Sequence, residues 1–178
     1  MSNIVFETKV IHFAPLTIVC LPREVSNVFP SRGMVMVEGT ADGQHILLPA
    51  EPDGRGGHWL DLSNVLSGKA EPKAGHIIRF GIRVSEEWPE PQMPEEMMNA
   101  IAEAGFSDFW TGLTVKAKWE WFRWIRATRN PSTREKRIGV AIFKMGQGDK
   151  RPCCFNSASS TDPLVSKGGV LDLPPNDI

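Results

Sequence analysis

The sequence predicts an α+β protein: a small antiparallel β-barrel of about six strands, double-split-barrel-like, followed by a small helical domain of three to four helices. Three observations carry this. Strand-like runs fill the first ninety residues, with no long helical pattern among them. A proline-rich seam, "EEWPEPQMP", then interrupts the chain at residues 86–94. After it, apolar residues recur at helical spacing to about residue 146. The expected division is a barrel domain at 1–88, a helical domain at 89–150 and an irregular tail at 151–178.

The strands come in order. In "NIVFETKVIHF", β-branched and aromatic residues alternate with polar ones, as a half-buried strand requires. "LTIVC" is an apolar run of strand length. "MVMVEGTADGQHILLPA" is two runs around Asp42-Gly43, and Asp-Gly is a strong hairpin signal because both positions tolerate positive φ. "HWLDL" is another short strand. In "HIIRFGIRV", Ile78, Phe80, Ile82 and Val84 share one face, and Arg79 and Arg83 share the other. "PREVSNVF" and "LSNVLSGKA" read as single helical turns between strands. Six short strands in under ninety residues suit a closed sheet. The seam reads as a linker of restricted flexibility.

The helices follow. Pro94 suits a first turn, with Glu95 and Glu96 at the end of the helix that favours anions. Met97, Met98 and Ile101 form its apolar side, and Gly105 ends it. "SDFWTGL" is one more short helix. Thr114 caps the next, in which Val115, Trp119, Phe122 and Ile125 form a stripe. Asn130-Pro131 breaks that helix. Ser132 and Glu135 have capping-box spacing. Ile138, Ala141, Ile142 and Met145 face inward from the last helix, and Gly146 stops it. The tail is rich in Pro, Gly and Ser, with Phe155 and Leu164 as points of docking.

At 41% hydrophobic and 23% charged, the chain has ordinary globular composition. It has no run of eighteen apolar residues, and "MSNIVFETKV" lacks the basic start and apolar core of a signal peptide. The expectation is a cytoplasmic protein with no membrane association. Cys20, Cys153 and Cys154 fit that, being an odd set without framework spacing. Net charge is −1, unevenly spread: residues 89–111 hold five acids and no bases, and residues 112–151 hold 11 bases and 3 acids. The blocks either neutralise each other or leave the basic one facing an external anion.

"MPEEMMNAI", "WIRAT", "STREKRI" and "KRPCCF" occur in that order. They resemble the C-terminal domain of the YdeI/OmpD-associated, or bacteriocin-protection, family. The resemblance rests on Pro94, Glu95, Glu96, Trp124, Ile125, Ala127, Thr133, Arg134, Arg137 and Ile138. The first half resembles the small β-barrel domain of unknown function that often precedes it, through Leu21-Pro22, "GMVMVEGTADGQ" and the "GRGGH" loop followed by "KAGHIIRFGIRV". Together the two cover roughly residues 5 to 155. Thr128 stands where the family often has Lys. The resemblance implies no reaction. The barrel is also similar in architecture to an AbrB/MazE-like group of DNA-binding dimers, an analogy of fold alone.

The opening of the last helix places Arg134, Lys136 and Arg137 where the dipole disfavours cations. Arg134 and Arg137 share a face, and Arg126 and Arg129 are three apart near the end of the preceding helix. Free N–H groups at the helix start add to an anion-friendly site. Equally, an arginine fork suits Glu95, Glu96 or Glu103. Trp121 and Trp124 lie off the core stripe among bases, an arrangement that either stacks nucleic-acid bases or packs the fold. "PDGRGGHW" lacks the Gly-Lys-Ser/Thr ending of a P-loop and reads as a turn between strands. His12, His45, His58 and His76 show no metal-ligand spacing. Cys153-Cys154 lies beside Arg151, which favours a thiolate.

The candidate ligand-binding residues are therefore Arg134, Arg137, Trp124, Trp121, Arg126 and Arg129, with no catalytic group, metal or cofactor assigned. The expected function is that of an accessory protein, stress-linked, binding an unknown anionic ligand or protein partner through a basic helical surface. Nucleic-acid binding is the alternative, and an enzyme with a site between the domains is the second.

Overall fold

The alternating first half closes into a barrel. In the computed structural model, which describes residues 3–65 and 72–173, its strands are β1 (Ile4–Phe13), β2 (Leu16–Cys20), β3 (Val35–Ala41), β4 (Gln44–Pro52), β5 (His58–Asp61) and β6 (Ile77–Val84). They pair in the order β1-β2-β5-β4-β3-β6, all antiparallel, and β6 returns to β1. Closure leaves no exposed sheet edge. The β3–β4 hairpin turns at Asp42 and Gly43, both at positive φ, as the Asp-Gly pair demands.

Period-two alternation decides what fills the barrel. Phe6, Val10, Val19, Val37, Ile46, Leu60, Ile78, Phe80 and Ile82 point inward, while Arg79 and Arg83 stay outside. Phe6 and Phe80 are register partners whose rings stack at 5.1 Å. Glu38 and Arg83, opposed on β3 and β6, form an outer ion pair at 2.8 Å. Helix α1 (Arg23–Asn27) bridges β2 and β3 and buries Val25. Of the second expected turn, Leu62–Val65 bends back through Val65 N to Leu62 O. The rest of that segment, residues 66–71, lies outside the described residues.

The barrel unit comprises the described parts of 1–87, 157–160 and 164–178. Its chain-terminal part carries β7 (Ser166–Lys167) and β8 (Val170–Leu171), a short hairpin. Val165 and Leu171 are buried against Ile11, Ile18 and Trp59. Leu164, expected to dock, is exposed; its neighbour Val165 takes that place.

The second unit, 88–156 with 161–163, holds α2 (Glu95–Glu103), α3 (Ser107–Thr111), α4 (Val115–Arg126) and α5 (Pro131–Gly146). Met97, Ile101, Trp110, Leu113, Ala117, Trp121, Ile125, Ile138, Ala141 and Met145 form its core. Met98, expected on the inner face of α2, is exposed. The expected stripe on α4 is rotated: Ala117, Trp121 and Ile125 are buried, and Trp119 is only half-buried, donating Nε1–H to Pro89 O at 2.8 Å. Two apolar stripes compete on this helix. The one that contains the small Ala117 allows close packing, and Trp119 satisfies its N–H outside that face.

The start of α5 differs from expectation too. Asn130, not Ser132, caps α5: its Oδ1 accepts from Ser132 N at 3.0 Å and Thr133 N at 3.3 Å, with Pro131 first in the helix. Helix α5 ends at Gly146, as expected; Gln147 is its C-cap, and Gly148, at φ 86°, completes the closing turn through Asp149 N to Lys144 O and Gly148 N to Met145 O. The seam is anchored within this unit: Lys118 Nζ reaches Glu90 at 2.5 Å, and Lys116 lies over the Trp88 ring. No helix among the described residues is long and apolar enough to cross a membrane.

Candidate functional site

A groove of about 620 Å³ opens in the helical unit between α2 and α5. Ala100 and Ile138 give it an apolar floor, Pro131 closes one end, and Glu96, Arg134 and Glu135 supply its charges. Arg134 stands one turn into α5, directed toward α2, and its Nη1 contacts Glu96 Oε1 at 3.2 Å. That pair ties α2 to α5. It does not exhaust the guanidinium, because Arg134 Nε is shielded from solvent and makes no hydrogen bond among the described residues. A guanidinium carries five donors, and a shielded donor without an acceptor is costly.

The other expected site residues are not brought to this groove. Arg137 turns toward the end of α4, where its Nη1 donates to Trp124 O at 2.6 Å and its guanidinium lies 5.5 Å from the centre of the Trp124 ring. It thus satisfies an orphan carbonyl at a helix C-terminus, where positive charge is favoured. Arg126 donates to Thr161 Oγ1, lies 3.9 Å from Asp162 and stacks over Phe122. Arg129 donates to the carbonyl of Pro163. These two arginines hold the 161–163 segment. Trp121 is fully buried, with Nε1–H on Lys150 O at 3.0 Å and its ring edge-on to Trp124. A ring so enclosed cannot receive a nucleic-acid base.

The groove brings in residues that the sequence did not single out as a site: Ala100, Pro131, Glu135 and Ile138. Glu96 was visible only as one partner among three. The signal for Arg134 was its misfit with the helix dipole, and Glu96 relieves that misfit from the neighbouring helix. Asn130 supplies the cap that the helix start needs, which leaves fewer N–H groups for an external anion.

The fold and these residues carry family patterns. Residues 90–148 match the family described as bacteriocin-protection, YdeI or OmpD-associated. Residues 6–82 match a domain of unknown function, DUF1905. The barrel thus matches DUF1905, and the helical unit after it matches the YdeI/OmpD-associated family. The YdeI/OmpD-associated segment begins within the seam and ends at the Gly148 turn, so it takes in α2 to α5 and the whole groove. The DUF1905 segment runs from within β1 to within β6 and so includes part or all of each barrel strand. No curated protein and no solved structure matched the chain.

Proposed function

We propose that this protein is a cytoplasmic, stress-linked accessory protein that acts by binding, and that the α2–α5 groove of its YdeI/OmpD-associated domain receives a carboxylate-bearing segment of a partner. The observation that carries this reading is the shielded Arg134 Nε, without an acceptor among the described residues, in the wall of an apolar-floored groove. A ligand carboxylate meets that need through a fork of two N–H donors. Ala100 and Ile138 favour an apolar portion beside the carboxylate, while Glu96 and Glu135 favour a hydrogen-bond donor or cation on the same ligand. That mixture describes a peptide segment better than a simple anion.

The test is a titration of the full chain with N-acetylated amino acids and short acidic peptides at constant ionic strength, read by amide chemical shifts. Saturable shifts around Ala100, Arg134 and Ile138, lost in Arg134→Gln, are expected. Shifts that do not saturate, or that survive Arg134→Gln, overturn the reading.

A further inference from the structure

The β4–β5 connection, Asp53 to Gly57, is a self-contained turn. Asp53 Oδ1 accepts from Arg55 N at 2.6 Å and Gly57 N at 2.8 Å, and Asp53 N donates to Gly57 O. The loop's own carboxylate is thereby engaged by its own backbone. Two cationic groups from elsewhere in the barrel converge on it. A β-carbon on Gly56 would lie 2.5 Å from Arg32 Nη1 and 3.1 Å from Arg23 Nη1. Glycine is needed there for this approach and for its φ of 86°. The two guanidinium groups are thus within about 6 Å of each other, a separation at which like charges repel.

Neither has a compensating acid among the described residues. Among the described residues, Arg23, Arg32 and Arg55 make no ion pair and no side-chain hydrogen bond, and all three are exposed. Glu24, beside Arg23 on α1, is in no ion pair either. The backbone that carries them is nonetheless held in place. Arg32 belongs to a loop in which Ser31 Oγ accepts from Gly33 N at 2.9 Å. Gly33 O in turn lies 3.0 Å from Nε2 of buried His58; a carbonyl can only accept, so Nε2 donates. The His58 ring meets Phe29 edge-on at 5.0 Å. Arg23 opens α1, which Val25 pins to the core. Two unpaired guanidinium groups on anchored backbone, converging on a bare glycine, have the form of an anion receptor.

The charge around the pair narrows the ligand. Residues 1–88 hold 8 bases and 10 acids, so the pair is an isolated positive spot on an acidic unit. A polyanion such as nucleic acid needs a continuous basic track. A single dianionic group needs only two forks, one for each pair of its oxygens. We propose that Arg23 and Arg32, above Gly56, bind the phosphate of a small phosphate monoester or free phosphate. This site is in the barrel and does not rest on the groove reading.

Calorimetric titration of the full chain with inorganic phosphate and with glycerol phosphate, at constant ionic strength, tests it. Saturable binding is expected for at least one of the two. Stronger binding of inorganic phosphate identifies the free ion as the ligand; stronger binding of the monoester identifies an organic phosphate. Arg32→Gln and Arg23→Gln, both at exposed positions, are each expected to weaken binding about tenfold or more, with melting curves showing that the fold persists. Arg134→Gln is expected to leave it unchanged, which separates this site from the groove. Absence of saturable binding overturns the proposal, as does binding indifferent to Arg32→Gln. Tighter binding of a DNA oligonucleotide than of either phosphate overturns it too.

Discussion

Arg134 and Arg137 stand one turn apart on α5, yet their environments ask different things of them. Arg137 donates a short charged hydrogen bond to the Trp124 carbonyl and covers the Trp124 ring. Removing it strands a carbonyl at the end of α4, so Arg137→Ala is expected to lower stability by about 1–3 kcal/mol. Arg134 makes an ion pair with Glu96, whose side chain is half exposed. Such pairs contribute little, so Arg134→Gln is expected to cost under about 1 kcal/mol. Thermal melts of the two variants decide; equal losses would contradict this division of roles. Cys153 makes the same point about reading neighbours in space. Arg151, two residues earlier in sequence, is engaged by Glu120 at 3.2 Å. It is Lys144, on the last turn of α5, whose hydrogen bond holds the Cys153 thiol below its ordinary value, with a further contribution from Cys154. Lys144 is correspondingly raised, chiefly by the same bond. Both directions favour the thiolate–ammonium pair. The rate of Cys153 alkylation should therefore rise at lower pH than for an ordinary thiol, and Lys144→Met should move that rise to higher pH. Mass spectrometry of iodoacetamide-treated protein across pH measures it; a curve unmoved by Lys144→Met would refute the coupling.

Helix α5 shows how an element can be placed correctly and still be misread at its end. The apolar residues Ile138, Ala141 and Met145 at helical spacing made its existence and inner face legible, and all three are buried. At its start, Asn130-Pro131 read as the break of the preceding helix, and the cap was placed two residues later. Capping-box spacing favoured Ser132. The structure selects Asn130, because Pro131 is preorganised for the first helical position and its missing N–H costs nothing there. The consequence is measurable. Asn130→Ala removes the acceptor of two backbone N–H groups and is expected to cost about 1 kcal/mol. Ser132→Ala, at the second helical position, should stay within about 0.5 kcal/mol of the parent. Chemical denaturation of both variants compares them, and the reverse order would restore the capping box. Helix α4 was misread for a different reason. Its four aromatic residues supply two stripes, and the pattern alone gives no preference. What decides is the small residue: Ala117 lies in the buried face, at 2% exposure, and leaves room for Trp121 at 0%.

Across the whole chain, the barrel was legible because each strand carries its own inside and outside, and Asp42-Gly43 marks the β3–β4 hairpin by its turn chemistry. The β7–β8 hairpin was missed: Gly168-Gly169, both at positive φ, is a turn signal, but two-residue strands carry no period to support it, and the docking rests on Val165 and Leu171. The charge blocks were visible, but their use was not, because pairing is set by tertiary neighbours. Within 112–151, Lys118 pairs with Glu90, Arg134 with Glu96, Arg126 with Asp162, Lys144 with Asp149 and Arg151 with Glu120. Arg129 and Arg137 are engaged by main-chain carbonyls, and Arg123 is buried beside the Phe155 ring. Of the eleven bases in this block, that leaves Lys116 over the Trp88 ring, with Lys136 and Lys150 exposed. Nucleic-acid affinity grows with the number of phosphates that such cations can neutralise, each adding close to one unit to the salt slope. Three lysines from different elements, with the adjacent tryptophan ring of Trp121 enclosed, make a poor track for a polyanion. The expected outcome of a gel shift with random DNA and RNA at low and at physiological salt is weak retention at low salt only, with a shallow slope of about three or less. A complex that survives physiological salt with a steep slope would mean that the internal ion pairs open to receive phosphate, and the basic block would then be a nucleic-acid surface after all.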